Sequence, residues 1–100
     1  MVKHIVFWKL KEEAHGFKKP ELALEIKKRL QALNGKIEGL LHLEVGLDFS
    51  KTESSFEVVL YSEFTDKNAL DAYQIHPLHK EVAGFIGGAT SARHLVDYKV

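Results

Sequence analysis

The sequence has no cysteine among its 100 residues. A disulfide framework, a thiolate nucleophile and a zinc–thiolate centre are therefore excluded. The absence of thiols also fits a reducing compartment, and we expect the protein to be cytoplasmic.

An excess of one charge and a long apolar run are missing as well. The 14 basic residues balance the 14 acidic ones, and no block of like charge occurs. We therefore expect no nucleic-acid partner. The apolar start of the chain is interrupted at Lys9, too early for a signal peptide or a membrane span, so we expect a soluble protein without membrane association. This length predicts a single domain over residues 1–100.

Alternating apolar residues predict four main strands. Residues 2–10 are apolar on both faces, with His4, Val6, Trp8 and Leu10 opposite Ile5, Phe7 and Lys9. Residues 40–49 place Leu41, Leu43, Val45, Leu47 and Phe49 on one side. Residues 56–64 oppose Phe56, Val58, Leu60 and Phe64 to Glu57, Val59, Tyr61 and Glu63. Residues 92–100 form the last strand.

The segments between these strands predict helices. Pro20 fits a first helical turn, and Leu22, Ile26, Leu30 and Leu33 follow at helical spacing until Gly35. Residues 11–19 are expected to form a loop. Thr65-Asp66 is an N-cap signal for a short helix that His76-Pro77 ends, and Pro77 starts a further helix that stops at Gly87-Gly88. Its predicted core stripe is Leu78, Val82, Phe85 and Ile86.

This order of elements matches the ferredoxin-like α+β fold, βαββαβ, with a four-stranded antiparallel sheet and its first and third strands in the middle. Both of those strands are apolar on two faces, whereas helices cover only one. A second copy that packs sheet against sheet would cover the other face. We therefore expect a homodimeric α/β barrel.

The segment from Tyr73 to His79 carries the candidate chemistry. A histidine titrates near neutral pH and can take and return a proton. If the chain bends at Pro77, Tyr73 and His79 converge over the sheet. The phenol would then polarise a substrate oxygen while the imidazole removes a proton next to a carbonyl, as in enolisation or an aldol-type cyclisation.

Three stretches together resemble the stress-responsive dimeric α/β barrel (Dabb) family: Lys3 to Leu10, Tyr73-x-x-His76-Pro77-x-His79, and Asp97-Tyr98. The resemblance covers almost the whole chain, which would be one Dabb domain. A plant polyketide cyclase of this family uses a tyrosine and a histidine at the matching positions. The resemblance implies His79 as catalytic base and Tyr73 as catalytic partner, with a substrate-binding wall of His4, Val6, Trp8 and Ile86, and it implies no cofactor.

Other interpretations compete with a lyase or cyclase acting on a carbonyl-containing or aromatic small molecule. The histidines and Tyr73 can be structural residues of a non-enzymatic, stress-associated dimer or larger assembly, and His76 suits a capping role. A cofactor-free monooxygenase or a haem-handling enzyme is a further alternative, by analogy of fold. His76 and His79 lie three residues apart, but no third ligand is evident nearby, so we expect no metal site.

Overall fold

Four long strands form one antiparallel sheet, and two short strands form a separate hairpin. The computed structural model describes residues 1–100. The elements are β1 (Val2–Leu10), β2 (Glu13–Ala14), β3 (Phe17–Lys18), α1 (Lys19–Gln31), β4 (Leu40–Leu47), β5 (Val58–Phe64), α2 (Lys67–Ile75), α3 (Pro77–Gly87) and β6 (Thr90–Lys99). The strand order of the sheet is β4-β5-β1-β6, and β2 pairs with β3. The predicted ferredoxin-like fold is confirmed, with β1 and β5 in the middle. None of the three helices is long and apolar enough to cross a membrane.

The hydrophobic core lies between one face of this sheet and helices α1 and α2. On the central strands the predicted alternation is confirmed, since Val6 and Trp8 of β1 and Leu60 and Phe64 of β5 are buried. Helix α1 contributes its predicted stripe of Leu22, Ile26 and Leu30, and Leu33 is buried just beyond its end. Burial of these side chains supplies most of the driving force for folding.

The opposite face of the sheet carries no helix. Its apolar side chains come from three neighbouring strands: Ile5 and Phe7 on β1, Val59 and Tyr61 on β5, and Val96 and Tyr98 on β6. All six are partly or largely accessible, and Phe7, Val96 and Tyr98 are 37%, 46% and 42% exposed. We call this set the open face. Such a continuous apolar surface is unusual for a protein that works as a monomer.

Two expectations about the first helix region are wrong. Residues 11–19 are not a plain loop, because Glu13–Ala14 and Phe17–Lys18 pair as a hairpin around Gly16, whose φ of 83° suits a tight turn. Helix α1 ends at Gln31, earlier than Gly35, because the chain turns through Ala32 and Leu33 with short-range hydrogen bonds.

The outer edge of the sheet also departs from simple alternation. A register irregularity between Leu40 and His42 turns Leu41 out of the core, where it is 57% exposed. Strand β4 ends at Leu47, which leaves Phe49 90% exposed. Phe56 precedes β5 and packs edge-on against Phe7 and His94, so it lies with the open face and not with the core.

Helix α3 is more peripheral than its sequence predicts. Of the expected stripe only Ile86 is buried, while Val82 and Phe85 are half-buried and Leu78 is 38% exposed. The helix packs chiefly against α1 and α2 and makes few contacts with the sheet. The buried side of α3 therefore does not pack closely against β1 and β6, and a space remains between the helix and these strands.

His76 ends α2 and begins α3. Its backbone is extended, with φ −65° and ψ 135°, as expected for a residue before proline. Its Nδ1 atom accepts a hydrogen bond from the backbone N–H of Leu78 at 3.1 Å, which satisfies one free donor of the first turn. His76 is therefore a capping residue, as the sequence predicts.

Replacement of His76 tests this capping role. We expect His76→Ala to lower the free energy of unfolding by about 1 kcal/mol, because the first turn of α3 loses its side-chain acceptor. His76→Asn keeps an acceptor at the same position and should retain most of that stability. Urea unfolding followed by circular dichroism measures both, and equal midpoints for the wild type and His76→Ala would contradict the capping role.

Candidate functional site

A cavity of about 120 Å³ lies between α3 and the neighbouring strands β1 and β6. Residues from both central strands and from all three helices contribute to its lining. Every residue that the sequence nominated for a site lines this one cavity: His4, Val6, Trp8, Tyr73, His79 and Ile86. The fold thus brings these six residues together, and their roles stay predictions.

Tyr73 lies in the last turn of α2 and is completely buried. Its hydroxyl group makes no hydrogen bond within the protein, and it is the one buried side-chain polar atom without a partner. Burial raises the pKa of Tyr73 to about 12, so the phenol keeps its proton at neutral pH. A buried hydroxyl without a partner is costly to the fold, and its O–H remains an unused hydrogen-bond donor.

His79 lies in the first turn of α3, where its ring centroid is 4.2 Å from that of Tyr73. Its Nδ1–H donates to the backbone carbonyl of Gln74 at 3.2 Å, since a carbonyl oxygen can only accept. The Nε2 atom makes no hydrogen bond within the protein. This arrangement leaves the lone pair of the neutral ring on Nε2.

The pKa of His79 is lowered from its ordinary value of 6.5. Burial is the main cause, and electrostatic interactions with His4, Arg93 and His76 act in the same direction. The hydrogen bond to Gln74 opposes the shift without cancelling it. At neutral pH the imidazole is therefore unprotonated, which is the form that a general base requires.

His4 reaches the same cavity from β1. Its ring lies 6.3 Å from Tyr73 in an edge-on arrangement, and its Nδ1–H donates to the carboxylate of Asp97 on the neighbouring strand β6. The carbonyl oxygen of His4 accepts a hydrogen bond from the Ser62 hydroxyl at 2.9 Å. Side chain and backbone together hold this buried imidazole in one orientation.

Sequence reasoning missed Arg93 of β6 as a lining residue, and it did not pair Asp97 with His4. The sequence does contain a pattern that could have identified Arg93 and Asp97. Alternation places residues 93, 95 and 97 on one face of the last strand, and antiparallel pairing sets Asp97 opposite His4 and Arg93 opposite Trp8. The sequence alone does not specify the register between two strands at opposite ends of the chain.

A larger groove of about 730 Å³ lies elsewhere, between the start of α1 and the loop that joins β4 to β5. Its central charged group is Lys19, whose ammonium contacts Glu12 at 3.0 Å and Glu57 at 2.9 Å. These polar groups already satisfy one another. The smaller cavity is the better candidate because two polar groups of its lining residues, the Tyr73 hydroxyl and Nε2 of His79, have no partner within the protein.

Metal-binding side chains do not cluster anywhere in the structure. No group of three histidine, aspartate or glutamate side chains is close enough to share an ion. His76 and His79 use their Nδ1 atoms for separate backbone contacts on either side of Pro77.

The family model of the stress-responsive A/B barrel domain (Dabb) matches residues 2–100. The chain belongs to the Dabb family. A search of curated proteins finds no match to the sequence. The solved structures with a related fold include three that bear on the comparison.

A dimeric ferredoxin-like protein of unknown function from Bacteroides fragilis is 31% identical, with a TM-score of 0.82 over 99% of this chain and 95% of the other. A Dabb family protein from Mesorhizobium loti is 25% identical, with a TM-score of 0.73 over 99% and 95%. A hydroxynitrile lyase from Passiflora edulis has a TM-score of 0.83 over 99% and 92%, but at 17% identity it is similar in fold alone.

The unpartnered hydroxyl of Tyr73 leads to a prediction about stability. Tyr73→Phe should leave the free energy of unfolding unchanged or raise it by about 1 kcal/mol, because no hydrogen bond is lost in the ligand-free protein. Ser62→Ala is the matched control, since the buried Ser62 hydroxyl does donate a hydrogen bond. That control should lose about 1 kcal/mol. Urea unfolding compares them, and a clear loss of stability in Tyr73→Phe would show that its hydroxyl is structurally bonded.

Proposed function

We propose that this Dabb protein binds a small carbonyl-containing or aromatic molecule in the cavity and catalyses lyase or cyclase chemistry on it. His79 acts as general base and Tyr73 as hydrogen-bond donor to the reacting oxygen. One observation carries this proposal: the buried, unpartnered hydroxyl of Tyr73 lies beside an imidazole whose Nε2 is free. A purely structural pair would have satisfied these groups.

The proposed step is proton abstraction next to a carbonyl group. The Nε2 lone pair of His79 takes the proton from the α-carbon, and the electrons of the C–H bond move into the carbonyl group to give an enolate. The Tyr73 hydroxyl donates a hydrogen bond to the developing oxyanion. In a ring closure the enolate carbon attacks a second carbonyl group, and the alkoxide that forms takes the proton from His79. Without a second carbonyl group, the enolate carbon takes the proton back from His79.

The apolar wall favours this chemistry for a small substrate. Val6, Trp8 and Ile86 are buried and line the cavity. An engineered apolar cavity of about 150 Å³ is known to accept benzene. The cavity of this protein, at about 120 Å³, therefore accommodates a ligand body of about five or six carbon atoms. Beside such apolar side chains a hydrogen bond to an oxyanion is stronger than in water.

Exchange of α-protons tests the step without knowledge of the natural substrate. The protein is incubated in D₂O with cyclohexanone, pentan-3-one and 2-oxobutanoate, and loss of the α-proton signal is followed by ¹H NMR. We expect the wild type to accelerate exchange of at least one of them. His79→Gln and Tyr73→Phe should each lower that rate by about 100-fold, as is typical for loss of a general base or an oxyanion donor.

The pH profile and a control variant sharpen this test. Because neutral His79 is the active form and its pKa lies below 6.5, the rate should stay high at neutral pH and fall only as the pH drops below that value. His76→Asn removes a nearby imidazole that does not line the cavity, and it should keep the wild-type rate. Equal exchange in the wild type and both site variants would refute the proposed roles.

We further propose that the protein is a homodimer through the open face. Support comes from the apolar residues that three strands present there and from the 31% identical relative, which is described as dimeric. Two sheets that pack through these faces would bury Phe7 and its neighbours between them. The cavity lies on the opposite, helix-covered side of the sheet, so each subunit keeps its own.

A charge placed on the open face tests the dimer. We expect the wild type to sediment as a dimer at micromolar concentration and Phe7→Glu to sediment as a monomer, because a carboxylate cannot be buried between two sheets without a partner. Leu24→Glu is the control, since Leu24 is an exposed apolar residue on α1, away from this face. It should remain dimeric. A monomeric wild type would overturn the proposed assembly.

A further inference from the structure

Arg93 is the one permanently charged residue that lines the cavity. It lies on β6 opposite Trp8, on the strand face that also carries Asp97. It takes part in none of the ion pairs within the chain and is exposed to solvent. Its guanidinium group is therefore available to a ligand.

No acidic side chain lines the cavity to balance this charge. Asp97 is nearby on the same strand face, but its carboxylate accepts the hydrogen bond from His4. The lining also includes the side chains of Tyr73, Gln74 and Thr90, each of which can donate a hydrogen bond. A cleft with one fixed positive charge and no negative one favours an anion.

We propose that the ligand of this cavity is a small carboxylate-bearing carbonyl compound, whose carboxylate pairs with Arg93 while its apolar body lies against Trp8. This inference rests on the proposed function, because it assumes that the same cavity binds the substrate. It assigns to Arg93 a role in ligand binding and specificity.

The single fixed charge of the lining favours a carboxylate over a phosphate. A planar guanidinium can pair with either anion through two parallel hydrogen bonds, so the amount of charge decides between them. A phosphate dianion carries more charge and more acceptor oxygens, and the lining offers no second fixed cation. The cavity interior of about 120 Å³ is also walled by apolar side chains such as Val6, Leu60 and Ile86, which suit a hydrocarbon body.

The position of Arg93 also agrees with the proposed chemistry. The two residues assigned to the reaction, Tyr73 and His79, come from the helices on one side of the cavity, whereas Arg93 comes from the edge strand. A ligand held by its carboxylate at the edge strand would therefore extend toward the helices. Its carbonyl group then lies on the side where the Tyr73 hydroxyl has no other partner.

Benzoate and benzamide test the inference, because they are similar in shape and differ in charge. Binding to the wild-type protein is followed by chemical-shift changes in ¹H–¹⁵N NMR titrations. We expect benzoate to bind about tenfold more tightly than benzamide, since a charge-assisted pair is stronger than a neutral contact. Arg93→Gln should remove the preference, and Arg93→Lys should keep part of it. Lys28→Gln removes an exposed charge from α1 and should leave the preference unchanged.

Two further measurements do not depend on the variants. The preference for benzoate should shrink as salt is added, because the guanidinium is accessible to solvent. Inorganic phosphate should compete with benzoate only weakly. Equal binding of benzoate and benzamide to the wild type, an unchanged preference in Arg93→Gln, or phosphate competition as strong as that of benzoate itself would each overturn the proposal.

The outcomes also separate this inference from the proposed function. If neutral ketones show exchange that depends on His79 while benzoate has no advantage over benzamide, the carboxylate assignment fails and the proton-transfer roles stand. If benzoate binds through Arg93 but no carbonyl compound shows exchange that depends on His79, the proposed reaction fails and the anion site stands. Absence of both binding and exchange refutes both proposals.

Discussion

The site depends on a break between two helices. Proline disfavours helical backbone in the residue before it, and His76 is extended for this reason. Helix α2 therefore ends at Ile75, with Tyr73 in its last turn, and α3 begins in a new direction with His79 in its first turn. In a continuous helix, residues 73 and 79 would lie six positions apart and face different sides. The break instead sets their rings 4.2 Å apart.

The same break explains why the cavity remains open. Because α3 follows a change of direction, it packs on α1 and α2 more than on the sheet, and only Ile86 is buried. A helix with a broad apolar stripe would be expected to close onto β1 and β6. Here the space beneath it holds a buried hydroxyl without a partner, an arrangement that weakens the fold. Such local costs are typical of functional sites, where groups are positioned for a ligand.

Much of this fold was accessible from the sequence, because the central strands β1 and β5 are apolar on both faces and the helices have clear start signals at Pro20 and Asp66. The misses have local causes. The hairpin around Gly16 is too short for a periodic pattern, and the irregularity at Leu41 reverses a side chain that alternation assigned to the core. The burial predicted for the apolar stripe of α3 was wrong, because periodicity identifies the apolar face of a helix but not how closely that face approaches the sheet.

The candidate site was likewise predictable from the sequence only in part. Its six predicted residues line one cavity, because β1 alternates regularly and the tyrosine–histidine segment has a clear helix break. The contacts of Arg93 and Asp97 depend on the pairing of the first and last strands, whose register no short-range pattern specifies. The properties that matter chemically, an unpartnered phenol and a neutral imidazole with a free nitrogen, arise only from the packing around them.

Strand β1 connects the two surfaces to which we assign roles. Its even-numbered residues His4, Val6 and Trp8 line the cavity, and its odd-numbered residues Ile5 and Phe7 belong to the open face. Because successive side chains of a strand point to opposite faces, one segment contributes to the proposed ligand site and to the proposed dimer interface without a shared residue. A shift of the β1 register by one residue would exchange the two sets and remove both surfaces at once. The pairing of β1 with β5 and β6 is therefore the constraint that the proposed ligand site and the proposed dimer interface have in common.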